Sequence, residues 1–503
     1  MRRDECTKHR QASAPLAAAL SNMSKRPRPI IAEEGCVAFP HISAVRAYTS
    51  KPPAGDGQQG ADCHDVASTH WINGHPTPIA NPMSGYAQYA KTRTSWGINA
   101  LGSCVVEVEA SDGTIGIGVT TAGEPGCYIV EKHLSRFVEG QDPRNIETMW
   151  DQMWRATINY GRKGLPLQAL SAIDLALWDL LGKLRGEPVY ALLGGKTKDR
   201  LPVYCTSSRP DLSKGFGFCG AKIPCPYGPA DGDEGFRKNV EFFKGWREKV
   251  GPDFPLALDC YMALSVPYAI KLAKALAPYN LKWMEEFLPP DDYDGYKEVR
   301  QALLGTGVLT TTGEHEYTRY GFRRLIADRA VDILQPDVTW LGGLTECRRV
   351  VAQAAAYDIP VIPHGSSIYS YHMQCAPIPP PPHPMVCMRA CMPCTPCCMP
   401  CVVLDGVSRL ESVRRYAFAN CPVAEFINLS HGADEISGYF GGLFTDEPLP
   451  KDGFIDLPDK PGFGVTLNRE NLVRPYPRSA EESAKQAQAT IDRPVPKVAK
   501  MPL

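Results

Sequence analysis

The sequence predicts an α/β fold, a (β/α) barrel preceded by a smaller α+β domain, on three observations. Short apolar runs alternate with helical patterns between residues 201 and 427, and eight of these runs read as strands. Repeated strand–helix alternation favours a parallel sheet with helical crossovers, and eight strands over this length suit a closed barrel. Hairpin and helix patterns before residue 165 indicate the smaller domain. A doubly wound open sheet is the alternative, although no G-x-G-x-x-G motif follows the first strand.

The N-terminal part of the chain carries a basic tail and then the α+β pattern. Residues 1–41 lack the apolar core of a secretory signal and are predicted to be a disordered or targeting tail. Residues 100–120 alternate apolar and polar side chains around Ser111-Asp112-Gly113, which predicts a β-hairpin. Residues 128–160 have helix-like patterning. We therefore expect an α+β domain over residues 42–165.

The barrel is predicted over residues 166–434. It opens with a strongly apolar helix at 168–184, which ends before Gly186 and Pro188. The predicted strands are 201–206, 218–223, 255–259, 282–285, 308–313, 331–336, 360–363 and 422–427. The predicted helices between them include 235–248, 266–278, 318–328 and 343–357.

Two segments late in the chain look different from the barrel. Residues 375–415 form a low-complexity, Pro- and Cys-rich insert that interrupts the barrel, with seven cysteines between Cys375 and Cys401. The cysteine run by itself suggests zinc, but its proline density and single histidine, His383, argue against that reading. Residues 435–476 follow the barrel, and residues 477–503 are predicted to be a disordered tail.

Composition excludes several classes of partner. The net charge is -1, from 54 basic and 55 acidic residues, which predicts binding to neither nucleic acid nor an anionic membrane surface. No uninterrupted apolar run reaches the roughly 18–20 residues that span a bilayer. Scattered cysteines in a long chain are typical of reduced thiols, so a cytoplasmic protein acting on a small molecule is expected. A mitochondrial presequence is the alternative, and Asp4 and Glu5 count against it.

Charged or polar residues lie at the ends of seven of the eight predicted strands, where barrels build their active sites. In chain order they are Lys222, Asp259, Glu285, Glu314, Asp337, His364 and Glu425. Each of them borders or interrupts an apolar run and would bury a charge, so a purely structural role is hard to argue.

Three of these residues predict a magnesium site. Asp259, Glu285 and Glu314 follow successive strands, and hard carboxylate oxygens suit Mg²⁺. No cysteine or histidine cluster accompanies them, which makes zinc a poorer fit. Three unrelated salt bridges are the alternative.

Two further residues predict a general base. Adjacent barrel strands would bring Asp337 beside His364, and a carboxylate that accepts one imidazole N–H leaves the other nitrogen as a base. A metal that binds a substrate carboxylate makes the α-proton removable, and loss of the β-hydroxyl would complete a dehydration.

With these residues in place, the chain resembles the enolase superfamily and, within its mandelate racemase-like subgroup, the L-rhamnonate dehydratases. The resemblance covers residues 42–476 apart from the insert, and joining Gln374 to Tyr416 restores a continuous pattern. Motifs that carry it include DCHD (62–65), TRTSWGINALG (92–102), LDCYM (258–262), KWMEEFLPP (282–290), TGEHE (312–316), LQPDVTWLGGL (334–344), PHGSSIYSYH (363–372) and DKPGFGVTLNRENLVRPY (459–476).

The resemblance implies a fold, an activity and residue roles. The fold would be a modified TIM barrel with an N-terminal α+β capping domain, to which residues 435–476 return. The activity would be dehydration of L-rhamnonate with Mg²⁺, and the chain would be a homo-oligomer. Metal ligands would be Asp259, Glu285 and Glu314; catalytic residues would be His364, Asp337 and Glu425; substrate contacts would be His64, Arg93, Glu425, Lys222 and His315.

Three alternatives to this activity stay open. The substrate could be another six-carbon aldonate. The insert, which we interpret as a translated intron or gene-model error, could misplace Glu425 and impair catalysis. A catalytically silent protein whose Cys-rich loop binds a metal or a partner is the alternative from a different class.

Overall fold

The structure is a computed structural model that describes residues 39–50, 78–89, 101–376, 421–428, 434–470 and 472–492. It contains a four-stranded antiparallel sheet and a curled, mainly parallel sheet, so the predicted α/β class is confirmed. Almost all of the predicted tail over 1–41 lies outside the described residues. The predicted insert over 375–415 also lies outside them, except for its first two residues.

The antiparallel sheet belongs to the N-terminal domain and has the order β12-β1-β2-β3. Its strands are β1 (Ile42–Ser50), β2 (Cys104–Ala110), β3 (Ile115–Thr120) and β12 (Leu472–Val473). The predicted hairpin is confirmed, because β2 and β3 pair in antiparallel register from Cys104↔Thr120 to Glu109↔Ile115. Its turn includes Gly113 at φ 87°, a conformation that side chains with a Cβ rarely adopt.

The helix α3 (Leu165–Arg185) packs closely against β3. A Cβ on Gly116 or Gly118 would fall 2.1 and 2.0 Å from the carbonyl oxygens of Ala176 and Ala172, so only glycine permits this approach. Contrary to the expectation from uninterrupted apolar runs, α3 is long and apolar enough to cross a membrane. Yet 89% of its most apolar window is buried inside the protein, as in the core helix of a globular domain.

The barrel sheet has the order β10-β4-β5-β6-β7-β8-β9, and β10 pairs with β4 in parallel. Its strands are β4 (Leu201–Thr206), β5 (Ala221–Pro224), β6 (Leu256–Asp259), β7 (Leu281–Glu285), β8 (Leu309–Thr312), β9 (Ile333–Leu334) and β10 (Ala424–Ile427), with β11 (Phe454–Ile455) antiparallel to β4.

The other helices connect or flank these strands. They are α1 (Gly123–Lys132), α2 (Ile146–Thr157), α4 (Val189–Leu192), α5 (Pro210–Gly215), α6 (Gly232–Val250), α7 (Val266–Leu276), α8 (Tyr293–Ala302), α9 (Thr318–Ala327), α10 (Gly343–Ala355), α11 (Ile368–Cys375) and α12 (Ala480–Ile491). Short 3-10 helices cover Pro82–Gly85, Leu134–Phe137, Pro229–Asp231 and Ala277–Tyr279.

The predicted strand at 360–363 is reduced to a single parallel bridge between Val361 and Leu334. The amide of His364 still donates to the carbonyl of Pro336 at 3.1 Å, but neither Pro336 nor Pro360 has a backbone N–H to donate across the pair, so the ladder ends after one bridge. The segment still runs beside β9, because the amide of Ile362 donates to the carbonyl of Leu334 at 2.8 Å. The segment therefore occupies the seventh position of the barrel with few hydrogen bonds.

The prediction of a disordered tail over 477–503 was wrong for residues 480–491, which form α12. The helix begins with a capping box, in which the Ser479 hydroxyl accepts from the amide of Glu482 and the Glu482 carboxylate accepts from the amide of Ser479. It approaches the N-terminal domain so closely that a Cβ on Gly140 would lie 2.3 Å from the carbonyl oxygen of Ala487. The spacing of Ser479 and Glu482 could have predicted the start of this helix, but the low complexity of the segment favoured a disordered tail instead.

Candidate active site

Two layers of side chains fill the barrel. The lower layer is an apolar cluster with one residue from nearly every strand: Tyr204, Ala257, Trp283, Leu309, Ile333, Ile362 and Val423. Because successive side chains of a strand point to opposite faces, the residue two positions later points into the barrel again. Those positions form a buried polar layer: Thr206, Lys222, Asp259, Glu285, Thr311, Gln335, His364 and Glu425.

Three acids converge at the carboxyl ends of the strands. One oxygen each from Asp259, Glu285 and Glu314 lies within 4.8 Å of the other two. All three side chains are buried, and burial raises the pKa of Glu285 to about 7 and that of Glu314 well above its usual range. Burial disfavours the charged form of a carboxylate, and a cation bound among these oxygens would favour it.

Lys222, the second residue of β5, contacts two of these acids. Its Nζ is 3.2 Å from Asp259 Oδ2 and 2.9 Å from Glu425 Oε1, and it also contacts Glu285 Oε1. Burial by itself lowers the pKa of Lys222, but the three carboxylates raise it well above its usual range, so the lysine is charged. This ammonium is the counter-charge that lets the acids stay together.

His364 and Asp337 form a hydrogen-bonded pair beside the three acids. The imidazole Nδ1 is 2.7 Å from Asp337 Oδ2, and Nε2 lies 3.7 Å from Glu314 Oε2. The other oxygen of Asp337 accepts from the amide and the hydroxyl of Thr339, at 2.7 and 2.6 Å. Both oxygens of Asp337 thus have partners, and Nε2 is the nitrogen of His364 that faces the acid cluster.

Glu425 closes the polar layer on β10. Its Oε1 contacts Lys222 and accepts from the Thr206 hydroxyl, and its Oε2 accepts from the amide of Gly365 at 2.9 Å. Lys222 and His364 together lower the pKa of Glu425 although burial opposes them. The possibility that the insert misplaces Glu425 is contradicted, because this side chain lies within the same cluster as the other predicted residues.

A second group of ligating side chains shares Glu314 with the first. Glu286, Glu314 and His315 bring one ligand atom each within 4.8 Å, and His315 Nδ1 lies 2.7 Å from Glu286 Oε2. The ring of Trp340 contacts both histidines, at 5.3 Å from His315 and 5.4 Å from His364 between ring centroids. His315 therefore borders the site from the β8 side.

The structure brings together all the predicted site residues that it describes. His64 and Arg93 lie outside the described residues. Sequence reasoning missed Thr206, Gln335 and Trp283, which hydrogen-bond to predicted site residues. The first two were readable, since each lies two positions after an apolar residue of a strand.

The donor set fits a divalent cation. Ligand oxygens around Mg²⁺ lie about 2.1 Å from the metal and therefore at most about 4.2 Å from one another. Asp259, Glu285 and Glu314 need only small side-chain movements to meet this limit. Their hard oxygens suit magnesium better than a soft metal.

Comparison with known proteins agrees with this geometry. Residues 94–194 match the model of the mandelate racemase / muconate lactonizing enzyme N-terminal domain, and residues 217–471 match that of the enolase C-terminal domain-like family. The chain therefore belongs to the enolase superfamily, in the mandelate racemase and muconate lactonizing enzyme group.

Within that group the chain belongs with the L-rhamnonate dehydratases. It is 50% identical over 418 residues to L-rhamnonate dehydratase of Saccharopolyspora erythraea, covering 83% of this chain and 96% of that protein. The crystal structure of rhamnonate dehydratase from Gibberella zeae complexed with Mg is 45% identical, has a TM-score of 0.75 and matches 91% of this chain and 99% of its own. A second structure of L-rhamnonate dehydratase from Gibberella zeae is 43% identical, with a TM-score of 0.73, and matches 92% of this chain and all of its own.

Proposed function

We propose that this protein is a Mg²⁺-dependent hydro-lyase that converts L-rhamnonate to 2-dehydro-3-deoxy-L-rhamnonate and water. The single observation that carries the proposal is the His364–Asp337 pair, in which His364 Nε2 faces the cluster of three acids at 3.7 Å from Glu314 Oε2. A base beside a metal site is what abstraction of a proton next to a carboxylate requires. The names of the close relatives agree with this chemistry.

Each residue of the cluster has a role in the proposal. Asp259, Glu285 and Glu314 hold the ion, and bound Mg²⁺ supplies positive charge to the substrate carboxylate. His364 Nε2 takes the C2 proton while Asp337 holds Nδ1–H. The C3–O bond then breaks, and the proton on His364 passes to the departing hydroxyl to form water. The resulting enol becomes the 2-keto acid by tautomerisation.

The remaining residues would bind substrate. Lys222 and Glu425 form an ion pair next to the metal acids and present polar atoms to the reacting end of an acid sugar. His315 lies on the β8 side of the site, 33% exposed. His64 and Arg93 complete the proposed set from the N-terminal domain, and an Arg fork suits a carboxylate or polyol.

The test is turnover of a panel of aldonates by the purified protein, with formation of the 2-keto-3-deoxy acid as readout. We expect turnover of L-rhamnonate with Mg²⁺, loss of turnover with a chelator, and loss of turnover in His364→Ala with Mg²⁺ binding retained. If the protein prefers another aldonate, the proposed substrate is wrong but the proposed type of reaction stands. Mg²⁺ binding without turnover of any aldonate would contradict the proposed activity.

We also infer that the protein is a homo-oligomer that works on a diffusible small molecule in the cytoplasm. The support is its near-neutral charge and its similarity to L-rhamnonate dehydratase of Saccharopolyspora erythraea. Light scattering of the purified protein at several concentrations tests the oligomeric state, and a monomer at all concentrations would contradict the inference.

A further inference from the structure

Glu285 stands out among the metal acids because one of its two oxygens is fully occupied by neutral donors. Oε2 accepts from the Trp283 indole at 3.0 Å and from the Gln335 side-chain amide at 2.8 Å. A carboxylate oxygen has two lone pairs, so these donors use both of them. Oε1 contacts Lys222 and is the oxygen left for a cation.

We propose that Gln335 and Trp283 are positioning residues that restrict Glu285 to coordination through one oxygen and thereby make the site prefer Mg²⁺ to Ca²⁺. The inference rests on the proposed function, since it requires the three acids to bind Mg²⁺. It goes beyond that function by assigning the metal preference to two residues that touch neither metal nor substrate.

The surroundings of Gln335 support this role. Its side-chain amide makes one hydrogen bond among the described residues, the one to Glu285, and its carbonyl oxygen Oε1 is buried without a partner. A buried acceptor without a partner is unfavourable for folding. An apolar side chain of the same size would avoid that penalty, so the effect of the amide on Glu285 is what distinguishes glutamine here.

Trp283 restrains the same oxygen from below. It belongs to the apolar layer, where its ring packs edge-on against Tyr204 at 5.2 Å between centroids. Its indole N–H therefore has a set direction, and Glu285, two residues later on the same strand, receives it. Trp283 and Gln335 therefore both restrain the Glu285 carboxylate, and they do so through the same oxygen, Oε2.

Coordination chemistry connects this restraint to metal choice. Mg²⁺ takes six ligands in near-ideal octahedral geometry, whereas Ca²⁺ takes six to eight oxygens and readily accepts both oxygens of a carboxylate. Because the two donors occupy Oε2, Ca²⁺ cannot use it as a second oxygen from Glu285. Oε1, the oxygen that would bind Mg²⁺, stays available. The restraint also orients that ligand in advance, which is how such supporting hydrogen bonds raise metal affinity.

The experiment compares Mg²⁺ and Ca²⁺ binding to the full-length protein by isothermal titration calorimetry, using each metal alone. In Gln335→Met we expect a roughly 10- to 100-fold loss of Mg²⁺ affinity. Ca²⁺ affinity should fall less, so that the ratio of the two Kd values shifts toward Ca²⁺. Trp283→Phe should shift the ratio in the same direction.

Thr311→Val is the matched control. Thr311 lies in the polar layer on β8, between the strands of Glu285 and Gln335, and its hydroxyl is buried without a hydrogen-bond partner among the described residues. We expect its Mg²⁺ and Ca²⁺ affinities to stay within about twofold of the parent protein. Circular dichroism verifies that each variant is folded. If Trp283→Phe fails to fold, the ratio of Mg²⁺ to Ca²⁺ affinity in Gln335→Met alone tests the inference.

Two results would overturn the inference in distinguishable ways. If the parent protein binds Mg²⁺ but Gln335→Met leaves the Mg²⁺ to Ca²⁺ ratio unchanged, the restraint on Glu285 does not set the preference, and the proposed function stands. If the folded parent protein binds no Mg²⁺ at all, the metal site itself fails, and the inference fails with it.

Discussion

Replacing Asp337 by asparagine should trap His364 in the wrong tautomer. In the native site Asp337 Oδ1 accepts two hydrogen bonds from Thr339 and Oδ2 accepts the one from His364 Nδ1. The asparagine carbonyl must occupy the position that faces the Thr339 donors, since an NH₂ group there would oppose a backbone N–H. Its NH₂ then faces Nδ1, which has to accept, and the proton of the neutral imidazole moves to Nε2.

A His364 that carries its proton on Nε2 cannot take the C2 proton of the substrate. General-base catalysis contributes about 10²- to 10⁴-fold, which corresponds to about 3–5 kcal/mol in activation free energy. We therefore expect kcat of Asp337→Asn to fall by that factor while KM and Mg²⁺ affinity stay within a few fold. Exchange of the C2 proton in deuterated water should fall by the same factor.

The assay is steady-state turnover of L-rhamnonate at saturating Mg²⁺, with product measured as the 2-keto acid. Asp328→Asn is the matched control, because Asp328 is a half-exposed aspartate 3.8 Å from Arg324 on the outside of the barrel. It should keep full activity. A kcat for Asp337→Asn within tenfold of the parent protein would refute the tautomer argument.

Three further predictions concern stability. Lys222→Met leaves three buried carboxylates without their shared counter-charge, so the free energy of unfolding of the metal-free protein should fall by about 3–5 kcal/mol. Mg²⁺ should then raise the Tm of the variant by more than it raises the Tm of the parent protein. Equal increases would contradict this prediction. Arg478→Met removes an arginine that pairs with both buried Glu131 and buried Glu139, and leaves Glu131 with Arg474. It should lower stability by about 3 kcal/mol, seen as a lower Tm, whereas an unchanged Tm would show that the network is dispensable. Burial lowers the pKa of His372 to about 3, below its unfolded value of about 6.5. Between these two pH values the unfolded chain binds more protons than the folded chain. Stability is therefore lost as the pH falls through this window, by at most about 1.4 kcal/mol per pH unit. His372→Gln cannot take up this proton and should flatten the dependence of Tm on pH, and an equally steep dependence would contradict the assignment.

Much of the candidate site could be predicted because strand periodicity alternates faces. Residues two positions apart on a strand point to the same face of the sheet. A polar residue two positions after an apolar residue that faces the barrel interior therefore faces the interior too, as Trp283 and Glu285 illustrate. The order of strands around a parallel barrel follows chain order, so residues on successive strand ends become neighbours in space. Asp259, Glu285 and Glu314 could be grouped on that basis before any distance was known.

Other features were not readable in this way. The segment at 360–363 has strand-like composition, yet Pro360 and the opposing Pro336 lack the N–H groups that would extend its pairing beyond one bridge. The helix Ala480–Ile491 has modest apolar content, and its stability comes from docking onto the N-terminal domain, where Gln486 donates to Glu139 at 2.6 Å. A local pattern cannot report a partner that is more than 300 residues away in the chain.

The sequence by itself determined the fold class, the barrel strands, the three acids and the Asp337–His364 pair, because period-two alternation and strand order are local properties with a regular spatial consequence. Only the tertiary structure decided which oxygen of each carboxylate is free. Lys222 joins three acids, and Trp283 and Gln335 occupy one side of Glu285, through hydrogen bonds that depend on side-chain direction to within an ångström. Such directions follow from how the closed barrel packs as a whole, and no single segment of the chain contains them.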